Sequence, residues 1–176
     1  MSPPSATTGS ATGSVPTAAD WVEAFASGWR APTGPDVFAD HFERLFADDA
    51  RLIQPDLPAL VGHSGLREGF ARPLFTLLPD ARATVLSWAA KGPELFIELE
   101  IHATLRGRPI VLTSIDHITL RDGLAIERRA SPDPLPLLRA AHPHPTTWPR
   151  LLRSRRLQRR HLRQAATRHA PAPDSA

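Results

Sequence analysis

Hydrophobic positions recur with a helical period in the first part of the chain and with a two-residue period further on. Trp21, Phe25 and Trp29 stand at i, i+4 and i+8, a spacing that puts all three rings on one face of a helix. Thr17 precedes them as N-cap, with Asp20 three residues on in the manner of a capping box. Pro32, Gly34 and Pro35 end that helix, and Asp36 is expected to cap a second whose Phe38, Phe42, Leu45 and Phe46 share a face. A short strand over 50–54 follows, broken by Pro55 and Pro58. A third helix is predicted from about Ser64, with Leu66, Phe70, Leu74 and Leu77 inward and a kink or early end at Pro73.

From Ala81 the period becomes alternating, and four strands are predicted at 82–89, 94–105, 110–120 and 124–130. Lys91-Gly92-Pro93, Gly107-Arg108 and Arg121-Asp122-Gly123 separate them as hairpin turns. Helices first and an antiparallel meander second make an α+β domain, a curved sheet wrapped around three N-terminal helices. Pro132, Pro134 and Pro136 then exclude a central strand, and Leu135, Leu137 and Leu138 suit a short terminal turn packed on the body. The domain spans 17–140. Residues 1–16, nearly all Ser, Thr, Pro, Gly and Ala, read as a disordered tail, and 141–176 as a basic, poorly ordered one.

In the strand 94–105, Leu95, Ile97, Leu99, Ile101 and Ala103 alternate with Glu94, Glu98, Glu100, His102 and Thr104, so one face is buried and the other wet. A Gly107-Arg108 turn pairs Leu99 with Asp116 and Ile101 with Ser114, which places Asp116 on the buried face. A slip of one residue would set Asp116 against Glu98 or Glu100, where like charges repel. In the next hairpin, a three-residue loop with Gly123 left-handed sets Arg128 opposite Asp116. Two readings of Asp116 stay open at this point: a structural partner for Arg128 inside the sheet, or a carboxyl in an apolar cavity with a raised pKa, ready to move a proton.

Composition narrows the chemistry. The chain has 176 residues and no cysteine, which removes disulfides, thiolate metal sites and a cysteine nucleophile. His41, His63, His102 and His117 fall on separate elements without HxH or HExxH spacing, so no metal is expected. No apolar run approaches the roughly 20 residues that span a bilayer; with no secretory pattern in MSPPSATTGS, a soluble cytoplasmic protein is expected. The net charge of +3 is unevenly divided: residues 150–176 hold eight arginines against Asp174, for +7, while the rest holds 13 Lys/Arg against 17 acids, for −4. Contact with nucleic acid or an acidic partner is therefore expected only through the basic tail at 150–168. Gly62-His63-Ser64-Gly65 reads as a plain turn before a helix.

The order of elements, the segment LIQPDLPALVGHSGLREGF after two helices and the closing segment IDHITLRDGLAIERRASPD resemble the nuclear transport factor 2-like superfamily. Its SnoaL-like polyketide cyclases, ketosteroid isomerases and limonene epoxide hydrolases are the enzyme branches to compare. The resemblance covers residues 17–140 and implies a cone, a bent sheet around helices with an apolar pocket at its open end, and pairing into homodimers through the sheet. It implies that Asp116 matches the protonated oxyanion-hole aspartic acid of ketosteroid isomerases. Their general base, however, falls here on Gln54 and their oxyanion-hole tyrosine on Phe25, neither of which has the required chemistry. The acid that cyclases and epoxide hydrolases place near the end of the last strand falls on Ala130, with Asp133 three residues later and suited to cap the following turn.

The sequence reading is thus a small-molecule-binding domain with possible cofactor-free cyclase or isomerase chemistry, proton transfer near a carbonyl being the reaction type. A non-catalytic ligand-binding or dimerisation module, or an accessory protein docking through its tail, is the alternative. Asp116 is expected as acid or base, Gln54 to orient the substrate oxygen and Arg128 to tune Asp116. Phe25, Trp29, Leu99, Ile101, Ser114 and Ile118 are expected to line the pocket for a small apolar or carbonyl-containing molecule. No cofactor is expected.

Overall fold

The computed structural model of the chain describes residues 16–55, 57–141, 153 and 156. The expectations for the N-terminal tail and for nearly all of the basic tail lie outside the described residues. Helix α1 (Ala18–Arg30) opens on a reciprocal cap. The Thr17 hydroxyl accepts from the Asp20 N–H, and the Asp20 carboxylate accepts from the Thr17 N–H. Trp21, Phe25 and Trp29 are all buried along one face. Helix α2 (Pro35–Phe42) starts earlier than a cap at Asp36 would allow. Gly34 is its N-cap and Pro35 its first residue, because proline's fixed φ and missing N–H cost nothing there. A Cβ on Gly28 would come within 2.4 Å of the His41 ring, so glycine is what lets α1 and α2 approach.

Strand β1 (Phe46–Ile53) begins four residues before the expected position, since Phe46 already pairs with the last strand of the sheet. A two-residue strand β2 (Leu60–Val61) returns alongside it, too short to leave a periodic signal. Gly62 then turns the chain with φ +68°; a Cβ there would meet the Asp48 carbonyl oxygen at 2.5 Å. Helix α3 (Gly62–Ser64), a π-helical segment over Gly65–Ala71 and helix α4 (Arg72–Leu77) follow without a break. Pro73 therefore neither ends the helix nor shortens it. The wider π turn, closed by the Arg72 N–H on the Arg67 carbonyl, accommodates a proline ring that would otherwise press on the carbonyl four residues back.

Four long strands complete the sheet: β3 (Arg82–Lys91), β4 (Glu94–Leu105), β5 (Arg108–Arg121) and β6 (Leu124–Pro132). The spatial order is β2-β1-β6-β5-β4-β3, antiparallel except for β1 beside β6. The helices before the long strands and the curved, unclosed sheet around them form the cone of an α+β fold. Its interior is aromatic: Trp21, Phe25, Trp29, Phe38, Phe42, Phe46, Phe70 and Phe75 are all buried and in mutual ring contact, as where Trp29 meets Phe38 edge-on at 4.8 Å. Each such side chain contributes about 1.5–3 kcal/mol on burial. Among the described residues no helix is long and apolar enough to cross a membrane.

Both hairpin registers differ from those expected. The β4–β5 turn is Arg106-Gly107, with φ of 54° and 77°, one residue earlier than Gly107-Arg108. Ile97 consequently faces Asp116, and Leu99 faces Ser114. The shift amounts to two residues of pairing, so Asp116 keeps its buried face. The β5–β6 turn is Asp122-Gly123, again with both φ positive, in place of a three-residue loop. Carried through unbroken, that register would send Arg128 to the outer face. A bulge intervenes: Leu120 pairs with Ala125 but Thr119 with Glu127, leaving Ile126 as the extra residue. Beyond it Ile118 faces Arg128 and Asp116 faces Ala130, and Arg128 is returned to the interior. Helix α5 (Leu135–Ala141) closes the domain, with Leu135 and Leu138 exposed rather than packed.

Before β3, the Asp80 carboxylate accepts the Thr104 N–H of β4 at 2.8 Å, and hydrogen bonding to Thr104 holds its pKa below the ordinary 3.8. A depressed native pKa contributes stability above the unfolded value and loses it as pH falls through the native one. Asp80→Asn is therefore expected to cost on the order of 0.5 kcal/mol at pH 6, a small value because solvent screens the site. The difference from wild type should shrink as urea titrations move from pH 4.5 to pH 2.5.

Candidate functional site

Two charged side chains of neighbouring strands meet inside the cone. Asp116 on β5 is 0 % exposed and the Arg128 side chain on β6 is 7 % exposed. Arg128 Nε donates to Asp116 Oδ2 at 2.7 Å, and Nη2 reaches the same oxygen at 2.5 Å. Because Arg128 lies opposite Ile118, the pair is diagonal rather than face to face. The other carboxylate oxygen, Oδ1, accepts the Ser114 hydroxyl at 2.9 Å, two residues along the same strand face. Arg128 also lies over the Phe70 ring, 4.9 Å from its centroid. Of the two readings of Asp116, the geometry is that of the ion pair: three donors occupy a carboxylate with no solvent contact. Among the described residues, Arg128 Nη1 makes no side-chain hydrogen bond.

Beside this pair lies a cavity of about 360 Å³, within the usual size for small-molecule sites. Trp29, Phe70, Leu74, Leu77, Leu78, Ile101, Leu112 and Ala130 form its apolar walls. Gln54, Ser114, Arg128 and Asp133 are its polar residues, and Pro55, Leu57, Pro132, Pro134 and Leu137 complete the lining. Gln54 and Ala130 come together because β1 and β6 run parallel, with Ile53 beside Arg129 at the end of the pairing. Asp133 does cap the final helix, its Oδ1 accepting the Leu135 N–H at 2.9 Å. It is also the one carboxylate among the described residues that line the cavity. A second hollow of about 390 Å³ lies between α1 and β3, lined by residues including Val22, Arg30 and Trp88. No cluster of three or more metal-ligating side chains occurs among the described residues.

The structure brings Gln54, Arg128, Trp29, Ile101 and Ser114 to one cavity. Asp116 does not line it and is bonded to two residues that do, Ser114 and Arg128. Phe25, Leu99 and Ile118 are 0 % exposed and do not reach the cavity; Phe25 stacks on Trp21 and meets Phe42 edge-on instead. These three have the right face but the wrong depth, since periodicity specifies a direction and not a distance from the open end. Leu112 was legible as a cavity residue, being on the same strand face as Ser114. Phe70 was not, because its helical spacing reads only as core.

Residues 18–128 match the family model of the SnoaL-like domain. Among solved structures, a protein of Jannaschia sp. CCS1 with a provisional SnoaL-like polyketide cyclase assignment superposes with a TM-score of 0.60 at 22% identity, over 71% of this chain and 93% of that one. TerC, co-crystallised with polyporic acid, gives a TM-score of 0.60 at 20% identity over 69% and 95%. A hypothetical protein of Catenulispora acidiphila DSM 44928 with a ketosteroid isomerase-like fold, in complex with trimethylamine, gives 0.55 at 16% identity over 65% and 86%. At these identities the likeness is one of fold. A sequence comparison with curated proteins yields no match.

The buried pair is expected to be costly to break and cheap to remove whole. Asp116→Leu or Arg128→Met alone strands a charge and should each lower unfolding stability by about 3 to 5 kcal/mol. The double variant should recover most of that loss, with the coupling read from equilibrium urea unfolding of all four proteins.

Proposed function

Because the chain belongs to the SnoaL-like domain family, we propose that it binds a small, mostly apolar, carbonyl-bearing molecule and catalyses cofactor-free proton transfer next to that carbonyl, leading to isomerisation or ring closure. The observation that carries this reading is one largely apolar cavity that holds both a carboxylate and a buried arginine whose Nη1 makes no hydrogen bond to a described residue. Arg128 Nη1 donates to the carbonyl oxygen and stabilises the negative charge that develops there, between largely apolar walls. Asp116 acts behind it, fixing the guanidinium in place rather than meeting the substrate. Gln54 orients the substrate oxygen from the β1 side.

Asp133 is the base in this scheme. Its Oδ1 is engaged by the Leu135 N–H, and its second oxygen takes a proton from the carbon next to the carbonyl. The electron pair of that C–H bond moves to the oxygen held by Arg128. The resulting enolate either is reprotonated by Asp133 at a different carbon, or attacks a second carbonyl of the same molecule, whose oxygen then receives the proton. Arg128 is balanced by Asp116, and Asp133 is the further charge among the described lining residues, so the cavity suits a neutral ligand over an anion. A non-catalytic binding module is the second reading, favoured by Gln54 and Ala130 where acids would be expected. On the outer face Phe96 (45 % exposed), Val111 and Ile115 (56 % exposed) support pairing with a second copy through the sheet.

Two experiments test these readings. With 2-tetralone as probe in deuterated buffer, exchange of its α-protons followed by NMR should be accelerated by the wild-type protein. Asp133→Asn should slow that exchange by about 10²–10⁴ while still binding the ketone. Binding without any acceleration in wild type would leave the non-catalytic module as the function. For the outer face, analytical ultracentrifugation should find a dimer that Ile115→Glu converts to a monomer; a monomeric wild type would refute the pairing.

A further inference from the structure

We infer that Ser114 is the residue by which the cavity selects its ligand, favouring one with a hydroxyl group beside the carbonyl. The inference rests on the proposed carbonyl site and adds what lies next to it. Ser114 Oγ donates its hydrogen to Asp116 Oδ1 at 2.9 Å, and Asp116, already accepting two bonds from Arg128, is a partner that can only accept. The hydroxyl hydrogen is thereby committed away from the cavity. Ser114 is 3 % exposed and lines the cavity, and its oxygen receives no hydrogen bond from the described residues. What it can offer a ligand is therefore lone pairs alone.

Arg128 is the converse, a side chain that only donates. Both groups are bonded to one carboxylate and both line the cavity, so a ligand held there is offered a donor by one and an acceptor by the other. A ketone without a neighbouring donor satisfies Arg128 but buries the Ser114 oxygen unpaired. A second carbonyl or an ether there sets lone pair against lone pair. A hydroxyl on the carbon next to the carbonyl meets both requirements, and a site built to hydrogen-bond a hydroxyl discriminates against analogues that lack one.

Isothermal titration of three ketones of matched shape tests this: benzoin, which carries the neighbouring hydroxyl, deoxybenzoin, which lacks it, and benzoin methyl ether, in which it cannot donate. Wild type should bind benzoin about fivefold more tightly than either analogue. Ser114→Ala should bind benzoin and deoxybenzoin alike, and Ser114→Thr, which keeps the hydroxyl, should restore the ratio whatever its effect on absolute affinity. Equal binding of the three ketones by wild type overturns the inference while leaving the carbonyl site standing, as does a preference that survives in folded Ser114→Ala. Should Ser114→Ala not fold, the three-ketone comparison in wild type decides alone. Failure of wild type to bind any of the three, or deoxybenzoin binding unchanged in Arg128→Met, removes the carbonyl site and this inference together.

Discussion

Neither Asp116 nor Arg128 is tolerable alone in the interior of this domain. A carboxylate without solvent contact needs a counter-charge and donors for its lone pairs, and a guanidinium on the adjacent strand needs an acceptor. Their contact, 2.5 Å between Arg128 Nη2 and Asp116 Oδ2, is the constraint to which the surrounding geometry conforms. It exists because the β5–β6 ladder carries one extra residue. A two-residue turn at Asp122-Gly123 has the twist that right-handed strands prefer, yet by parity it turns Arg128 outward. The bulge at Ile126 reverses that parity before Arg128 is reached. One unpaired residue thus converts an outer-face arginine into the floor of a cavity.

The remaining walls are arranged around the same guanidinium. Phe70 lies beneath it, presented by the π-helical segment Gly65–Ala71. That segment exists where Pro73 requires a wider turn, so a feature imposed by proline sterics is also what positions an aromatic ring against the buried charge. Packing of α1 supplies Trp29, which lines the same cavity and meets Phe70 edge-on, and glycine at position 28 lets α1 and α2 approach closely beside it. Cavity and core share residues only in part: Trp29 lines the cavity and is also among the largest fully buried side chains, whereas Phe25, Leu99 and Ile118 serve the core alone.

What a polar side chain can reach follows from its depth rather than from its identity. Asp116 has the residue type of an acid or base, but it bonds Ser114 and Arg128 and does not itself line the cavity, whereas Asp133, just beyond β6, is the carboxylate that lines it among the described residues. The distinction between touching a substrate and holding the group that touches it cannot be made from residue types and spacing.

Much of the fold was written in local chemistry. The Thr17–Asp20 cap, the aromatic stripe of α1, the four long strands and the buried face of Asp116 all follow from short-range periodicity and turn residues, which act over a few positions and survive any choice of partner. Asp116 kept its face even though the turn before β5 was displaced, because a shift of two residues preserves alternation. What the tertiary structure alone decided is whatever depends on a count taken across strands or on depth in the cone. The bulge at Ile126, the pairing of β1 with β6 that brings Gln54 beside Ala130, the burial of Phe25, Leu99 and Ile118 beneath the cavity, and the convergence of Ser114, Arg128 and Asp133 are of this kind. Local spacing specifies which way a side chain points; how far it lies from solvent, and what stands between it and a ligand, is set by packing among segments distant in the chain.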